Sequence, residues 1–382
     1  MNKNAGNVGI TAKPIESYAS TGPFYGVSPQ IPAIAHQDAV LKLWNMKLTP
    51  MLCHPGIGGR FTGASKSCPV RSCVGMGELS ADAVTSSYRN TDAIENIFCI
   101  ESSIQIEFGD DLQNSVALNR FDMLSLPANV KHRVRNLCSK TAKFVLALNA
   151  GPESDFPAVF DARQVSLKAV SADALEALNV SADQDGGFQV DVEYVTSRIT
   201  RFESLVPYKK GLNKSVGIPP EATEMLSAGS VYPLIVPEGH IGRSQTAPMY
   251  GYPGLYISIA ECIPGDDGPP PHAHSDTQEN FFVLDGTWDI MTGFDNEHVF
   301  SAKPGDLFAA PPHIMRAFRN TGQEKARLLV IIQGPAKMDD NVAFSSALGE
   351  IIKERFGEET IEAYRKIKMT FDAEERFKAA CT

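Results

Sequence analysis

The stretch His272-Ala273-His274-Ser275-Asp276-Thr277-Gln278-Glu279 runs on without a break into Asn280-Phe281-Phe282-Val283-Leu284-Asp285-Gly286. Side chains alternate between the two faces of a strand, so His272 and His274 project to one side, and a carboxylate on the next strand of a small barrel reaches the same point. Two imidazoles and one carboxylate on one side of an ion leave its other side open, as in non-heme Fe(II) oxygenases. These donors predict a metalloprotein whose metal has coordination positions to share with a substrate.

As a pattern the stretch is H-x-H-x4-E-x6-G, with Gly265 seven residues ahead of His272 and Pro269, Pro270 and Pro271 on the approach. Downstream, Pro304-Gly305-Asp306 precedes Pro311-Pro312-His313-Ile314-Met315-Arg316-Ala317-Phe318-Arg319-Asn320. Together these resemble the two signatures of the cupin superfamily, small antiparallel barrels that usually hold one divalent metal. The resemblance implies a double-stranded β-helix (jelly-roll) barrel, metal ligands at His272, His274 and Glu279, and a fourth ligand, a histidine, at the position that is Arg316 here. A guanidinium has no lone pair for a metal. Either the site works with three protein ligands, or His313 swings in from its loop to complete the set. Arg316 itself has two readings: it pairs with a substrate carboxylate or steadies a developing oxyanion, or it ends a strand and salt-bridges a surface acid.

Set against itself at a shift of 184, the sequence shows a duplication: Glu95-Asn96-Ile97-Phe98 falls on Glu279-Asn280-Phe281-Phe282, Asp122 on Asp306, Pro127 on Pro311 and Asn136 on Asn320. At a shift of 183, Arg60 and Glu78 fall on Arg243 and Glu261. The chain therefore resembles a bicupin, two related barrels in one polypeptide. The counterparts of His272 and His274 are Tyr88 and Asn90, whereas His132 stands where Arg316 does. Glu95 and His132 alone make a poor transition-metal site. The first barrel reads as a structural or substrate-contacting partner that has lost its metal.

Thirty glycines and 25 prolines in 382 residues suit short strands joined by turns, and 43% hydrophobic residues are ample for two cores. The net charge of -10 opposes a phosphate backbone, so nucleic acid is not expected as a partner. No apolar run approaches the ~20 residues of a membrane span, and the amino terminus lacks the apolar core of a signal peptide, which predicts no membrane partner and a cytoplasmic location. Seven cysteines form no Cys-x2-Cys pair and read as reduced thiols.

The expected fold is dominated by β-structure: two antiparallel cupin barrels with a helical carboxy-terminal tail. Residues 1–47 read as an extended arm and a short helix over His36–Met46, 48–152 as the first barrel, and 153–230 as an inter-barrel connection with a helix at Ala172–Leu178 capped by Ser171. The second barrel follows over 231–337 and helices over 338–382, broken at Gly357 and near Asp372. Period-two alternation puts Phe281 with Glu279 and Phe318 with Arg316 on the interior face, which makes both rings candidate substrate-binding residues or ordinary barrel core.

The function these features point to is a metal-dependent dioxygenase with Fe(II) as the first choice of cofactor and Mn(II), Zn(II) or Ni(II) as alternatives. It resembles the quercetin and gentisate dioxygenase-like branches of the family. The substrate would be a small aromatic or enolisable acid or phenol, with dioxygen as the second reactant and Arg316 as the catalytic cation. The alternatives are a non-oxidative isomerase, lyase or decarboxylase, and a non-enzymatic bicupin that binds a small molecule. The family resemblance also implies a homo-oligomer.

Overall fold

In the computed structural model the described residues are 25–28, 36–68, 72–150, 154–183, 190–207, 217–237, 247–251, 254–266, 268–334 and 340–378. Most of the amino-terminal arm, Arg243 and Cys381 lie outside them.

The ligand-bearing strand Gln278–Asp285 is apolar at Phe281, Phe282, Val283 and Leu284, and the run has a two-sided purpose. Phe281 and Val283 face the interior of the second barrel, while Phe282 and Leu284 join a cluster built from both barrels. That cluster brings Leu234, Ile257, Leu329 and Ile331 against Leu52, Val74, Phe98 and Val145. A strand buried on both faces loses its polar alternation and reads as a continuous apolar stretch. The outer face of the larger sheet of each barrel is thus the seam between them.

In the second barrel a seven-stranded sheet runs in the order Gly26–Val27, Leu307–Ala310, Gln278–Asp285, Ala326–Gln333, Leu255–Cys262, Ser230–Pro237, Met249–Gly251. Opposite it a six-stranded sheet runs His298–Ala302, Trp288–Thr292, Arg316–Asn320, His272–His274, Val342–Phe344, Met369–Thr370. The first barrel repeats both orders with strands displaced by about 184 residues: Ile94–Glu101 stands for Gln278–Asp285, Tyr88–Asn90 for His272–His274, and His132–Asn136 for Arg316–Asn320. The duplication seen in sequence is a duplication of architecture, and both barrels are antiparallel jelly-rolls.

Each barrel covers an edge of the other. Gly26–Val27, which leads into the first barrel, pairs with Phe308 and Ala309 of the second, and Ile199–Thr200, which leads into the second, pairs with Met123 and Leu124 of the first. Capping an edge in this way removes an open ladder of backbone donors and acceptors.

The segments read from sequence as a connection and as a tail are the same unit twice. Ala158–Asp161 pairs with Tyr88–Asn90, is followed by helices Ala162–Lys168 and Ala172–Ala177, and pairs in parallel with Val180–Asp183. Val342–Phe344 pairs with His272–His274, is followed by helices Ser346–Phe356 and Glu358–Lys366, and pairs in parallel with Met369–Thr370. Strands of two to four residues carry too little alternation to be visible in sequence; the helix Ala172–Ala177 was legible through its cap Ser171 and the two carboxy-terminal helices through their apolar sides, whereas Ala162–Lys168, capped by Asp161, was not anticipated. Gly357, at φ 89°, separates the last two helices where a residue with a Cβ would be strained. Beyond them, Glu374–Lys378 forms a turn of π-helix. Among the described residues no helix is long and apolar enough to cross a membrane, and no disulfide links the six described cysteines.

Candidate metal centre

His272 and His274 occupy alternate positions of a three-residue strand whose neighbours are Arg316 on one side and Val342–Phe344 on the other. Glu279, the second residue of strand Gln278–Asp285 in the opposite sheet, faces them across the barrel. Both imidazole Nε2 atoms lie 3.5 Å from the same oxygen, Glu279 Oε2. Among the described residues these three side chains form the one group whose ligand atoms lie close enough to share an ion, within 4.8 Å of one another.

The other ring nitrogens explain why these Nε2 atoms are available. His272 Nδ1 lies 2.9 Å from the Pro270 carbonyl, and His274 Nδ1 lies 2.5 Å from Asp340 Oδ2, which also accepts from the Thr277 hydroxyl. A carbonyl and a carboxylate only accept, so each Nδ1 carries the proton and each Nε2 presents a lone pair toward Glu279. Glu279 Oε2 is buried and has no hydrogen-bond partner among the described residues. Two lone pairs and an unpartnered carboxylate oxygen converging in one buried place repel one another unless a cation sits among them. The residues fit a divalent metal, and the carboxylate-histidine contact is the outer support such ligands ordinarily have.

Electrostatics favour the deprotonated set. Burial pushes the Glu279 carboxyl up, but its contact with His272, the charge that His274 and His272 carry when protonated, and the charge of Arg316 outweigh this and hold it at about 2. Burial also keeps His272 below the usual imidazole value, which favours the neutral, ligating form.

Arg316 is fully buried, with Nε 3.6 Å from Glu279 Oε2. Its Nη2 donates to the carbonyls of Ala310 and Pro311 at 3.3 and 3.1 Å, while Nε and Nη1 have no partner among the described residues. The surface salt bridge considered from sequence is therefore not its role. A buried guanidinium with two unsatisfied donors beside a metal-ligand group is equipped to receive an anion.

His313 is placed differently from a fourth ligand. Its backbone is left-handed, at φ 68°, its N–H donates to the His274 carbonyl at 2.8 Å, and its ring stacks on Phe377 at 5.1 Å. It is outside the group of convergent donors. Phe281 and Phe318 do face inward with Glu279 and Arg316, and they pack edge-to-face at 5.3 Å in a core that includes Phe308 and Trp288.

Asp340 and Phe344, which stacks on His272 at 5.5 Å, were not anticipated from sequence. For Phe344 a signal existed, because the same shift of 184 pairs it with Phe160. Asp340 had none: its counterpart is Phe156, and it is 66 residues from His274.

The corresponding place in the first barrel is built from Glu95, Tyr88, Asn90 and His132, with the same register, His132 opposite Tyr88. There Glu95 is met by Arg60 Nη2 at 2.6 Å, the Tyr88 hydroxyl at 2.9 Å and the Asn90 amide at 2.6 Å, and His132 Nε2 lies at 3.3 Å.

Residues 258–332 match the family model described as a cupin domain. No curated protein matches the sequence. Solved structures to which the chain is similar include vicilin from Corylus avellana (hazelnut), at 14% identity over 78% of this chain and 87% of that one, with a TM-score of 0.47. Oxalate decarboxylase from Bacillus subtilis is similar at 16% identity over 70% and 69%, TM-score 0.44. The salicylate 1,2-dioxygenase from Pseudoaminobacter salicylatoxidans, as a tryptophan-to-tyrosine mutant in complex with gentisate, is similar at 13% identity over 82% and 85%, TM-score 0.48. The family match falls on the second barrel, and the first barrel repeats its strand order and register.

Proposed function

We propose that the second barrel is the site of a metal-dependent dioxygenase, in which His272, His274 and Glu279 hold one Fe(II) and Arg316 binds the anionic group of a small aromatic or enolisable acid. The observation that carries this reading is the convergence of two Nε2 atoms on an unpartnered Glu279 Oε2 beside an arginine with two unused N–H donors. When bound, such a metal supplies Lewis-acid polarisation of an oxygen-bearing substrate and, as iron, the one-electron chemistry that dioxygen requires.

The chain's own residues do the rest. The Pro270 carbonyl and Asp340 hold the two Nδ1 protons, so that the imidazoles remain neutral donors. Arg316, anchored through Nη2 to two backbone carbonyls, keeps Nε and Nη1 aimed for a carboxylate or phenolate, and burial strengthens that pairing by excluding water. Phe281 and Phe318 supply the next inward layer, suited to a flat apolar body attached to the anion.

Oxygen uptake by Fe(II)-loaded protein against a panel of phenolic acids, enols and diketones tests the proposal, with His272→Ala as control. Turnover under strict anaerobiosis would move the activity to the non-oxidative isomerase, lyase or decarboxylase class, and ligand-induced thermal stabilisation without turnover would make the protein a binding bicupin.

A further inference from the structure

The first barrel keeps the backbone of a metal site, and its residues do not fit a metal. Both oxygens of Glu95 already receive hydrogen bonds, Oε1 from Arg60 and Tyr88 and Oε2 from Asn90. Tyr88 and Asn90 replace the two imidazoles, so His132 is the one nitrogen donor of the set. What the group does have is a full positive charge. Arg60, from the turn between strands Lys47–Cys53 and Ser72–Leu79, is 4% exposed and pairs with Glu95, itself 1% exposed. Its guanidinium carbon lies 4.8 Å from the Tyr88 ring centre, 5.1 Å from Trp44 and 5.4 Å from Phe61. Three aromatic rings and a carboxylate make a box for a cation.

We propose that Arg60 is the first barrel's built-in cation: its guanidinium replaces, at Glu95, the divalent ion that the second barrel holds at Glu279, so the first barrel is closed to metal and needs none to fold. The arginine near Glu279 behaves otherwise, since Arg316 spends its Nη2 on carbonyls and, with Nε at 3.6 Å, leaves Glu279 Oε2 without a hydrogen bond among the described residues. Arg243, the sequence counterpart of Arg60, lies outside the described residues. The contrast rests on the metal reading of the second barrel; the test does not.

The test uses the full chain carrying His272→Ala and His274→Ala, which removes the second barrel's ligand set, loaded with Zn(II) or, anaerobically, Fe(II), and then dialysed for elemental analysis. This background is expected to retain no metal. Adding Tyr88→His and Asn90→His while keeping Arg60 is expected to leave it metal-free, because the guanidinium still holds Glu95. Adding Arg60→Ala to those two changes is expected to raise the content to about one ion per chain, held by three imidazoles and Glu95. Metal in the background, or equal metal with and without Arg60, overturns the proposal.

Stability gives a second test that needs no metal. Arg60→Ala strands a buried carboxylate, whereas Arg60→Ala with Glu95→Gln removes both charges, so the double variant is expected to melt above the single one. A double variant that melts at or below the single one would reduce Arg60 to packing and overturn the proposal.

Discussion

Glu95 and Glu279 stand at the same place on the same strand of two copies of one barrel, 184 residues apart, each facing the strand pair that carries the rest of its site. Around Glu95 an arginine, a tyrosine and an asparagine donate hydrogen bonds, and around Glu279 two imidazoles present lone pairs to an oxygen that receives no hydrogen bond from the described residues. A backbone of this kind does not commit its interior to a metal. The outcome depends on whether the side chains facing the carboxylate donate protons or lone pairs, and on whether a cation is supplied by the chain.

The largest effect that would sharpen this contrast is expected from His272→Ala. Metal content should fall to background and any metal-dependent turnover with it, a loss of several kcal/mol in barrier terms and about a thousandfold or more in rate. Tyr88→Phe, at the matching position, should leave metal content unchanged, and loss of metal from both variants would break the comparison.

Acid stability comes next. The Glu95 carboxyl is buried, which raises it, yet the Arg60 charge and the contacts of His132 and Asn90 hold it at about 2, against an ordinary 4.5. Because its folded value lies below its unfolded one, the stability it contributes, on the order of 3 kcal/mol, is present above pH 4.5 and is lost as pH falls through about 2. Urea melts of Glu95→Gln between those limits should show a flatter pH dependence than the parent. An unchanged slope would mean that Arg60 and Glu95 do not act as a pair.

Arg316→Lys tests the other arginine. A lysine keeps the charge but loses the fork geometry, and a charged hydrogen bond contributes about 1.5–3 kcal/mol. KM for an acidic substrate should rise by roughly 10- to 100-fold with metal content unchanged. A loss of metal instead would place Arg316 in support of the ligands and not of the substrate.

An effect of similar size, on metal affinity instead of KM, is expected from Asp340→Asn, which weakens the grip on the His274 Nδ1 proton. Metal affinity measured by competition with a chelator should fall by about 10- to 100-fold. Phe156, the first-barrel counterpart of Asp340, holds no ring nitrogen at all, so this support is a property of the second barrel alone. Unchanged affinity would show that the strand register by itself orients His274.

Legibility differed along the chain for physical reasons. His272, His274 and Glu279 were readable because eight residues of strand and turn place them, and local spacing survives folding unchanged. The barrel strands were readable through length and apolar content, and the helix over Gln37–Trp44 through its stripe of Val40, Leu43 and Trp44. His313 was misleading, since three residues of proximity to Arg316 said nothing of the left-handed backbone that sends its ring to Phe377. The short strands after each barrel escaped because pairing with Tyr88–Asn90 and His272–His274, not their own two- to four-residue patterns, makes them strands.

By itself the amino-acid order determined that this protein is a duplicated β-barrel with a His-His-Glu trio in its second copy, because both facts reside in repeats and short spacings. Only the folded chain decided which partner each of those groups meets. Arg60 reaches Glu95 across 35 residues and Asp340 reaches His274 across 66, and neither spacing carries a local signal. Donor and acceptor came together through sheet register and loop closure, and that pairing separates a barrel closed on its own arginine from one whose donors await an ion.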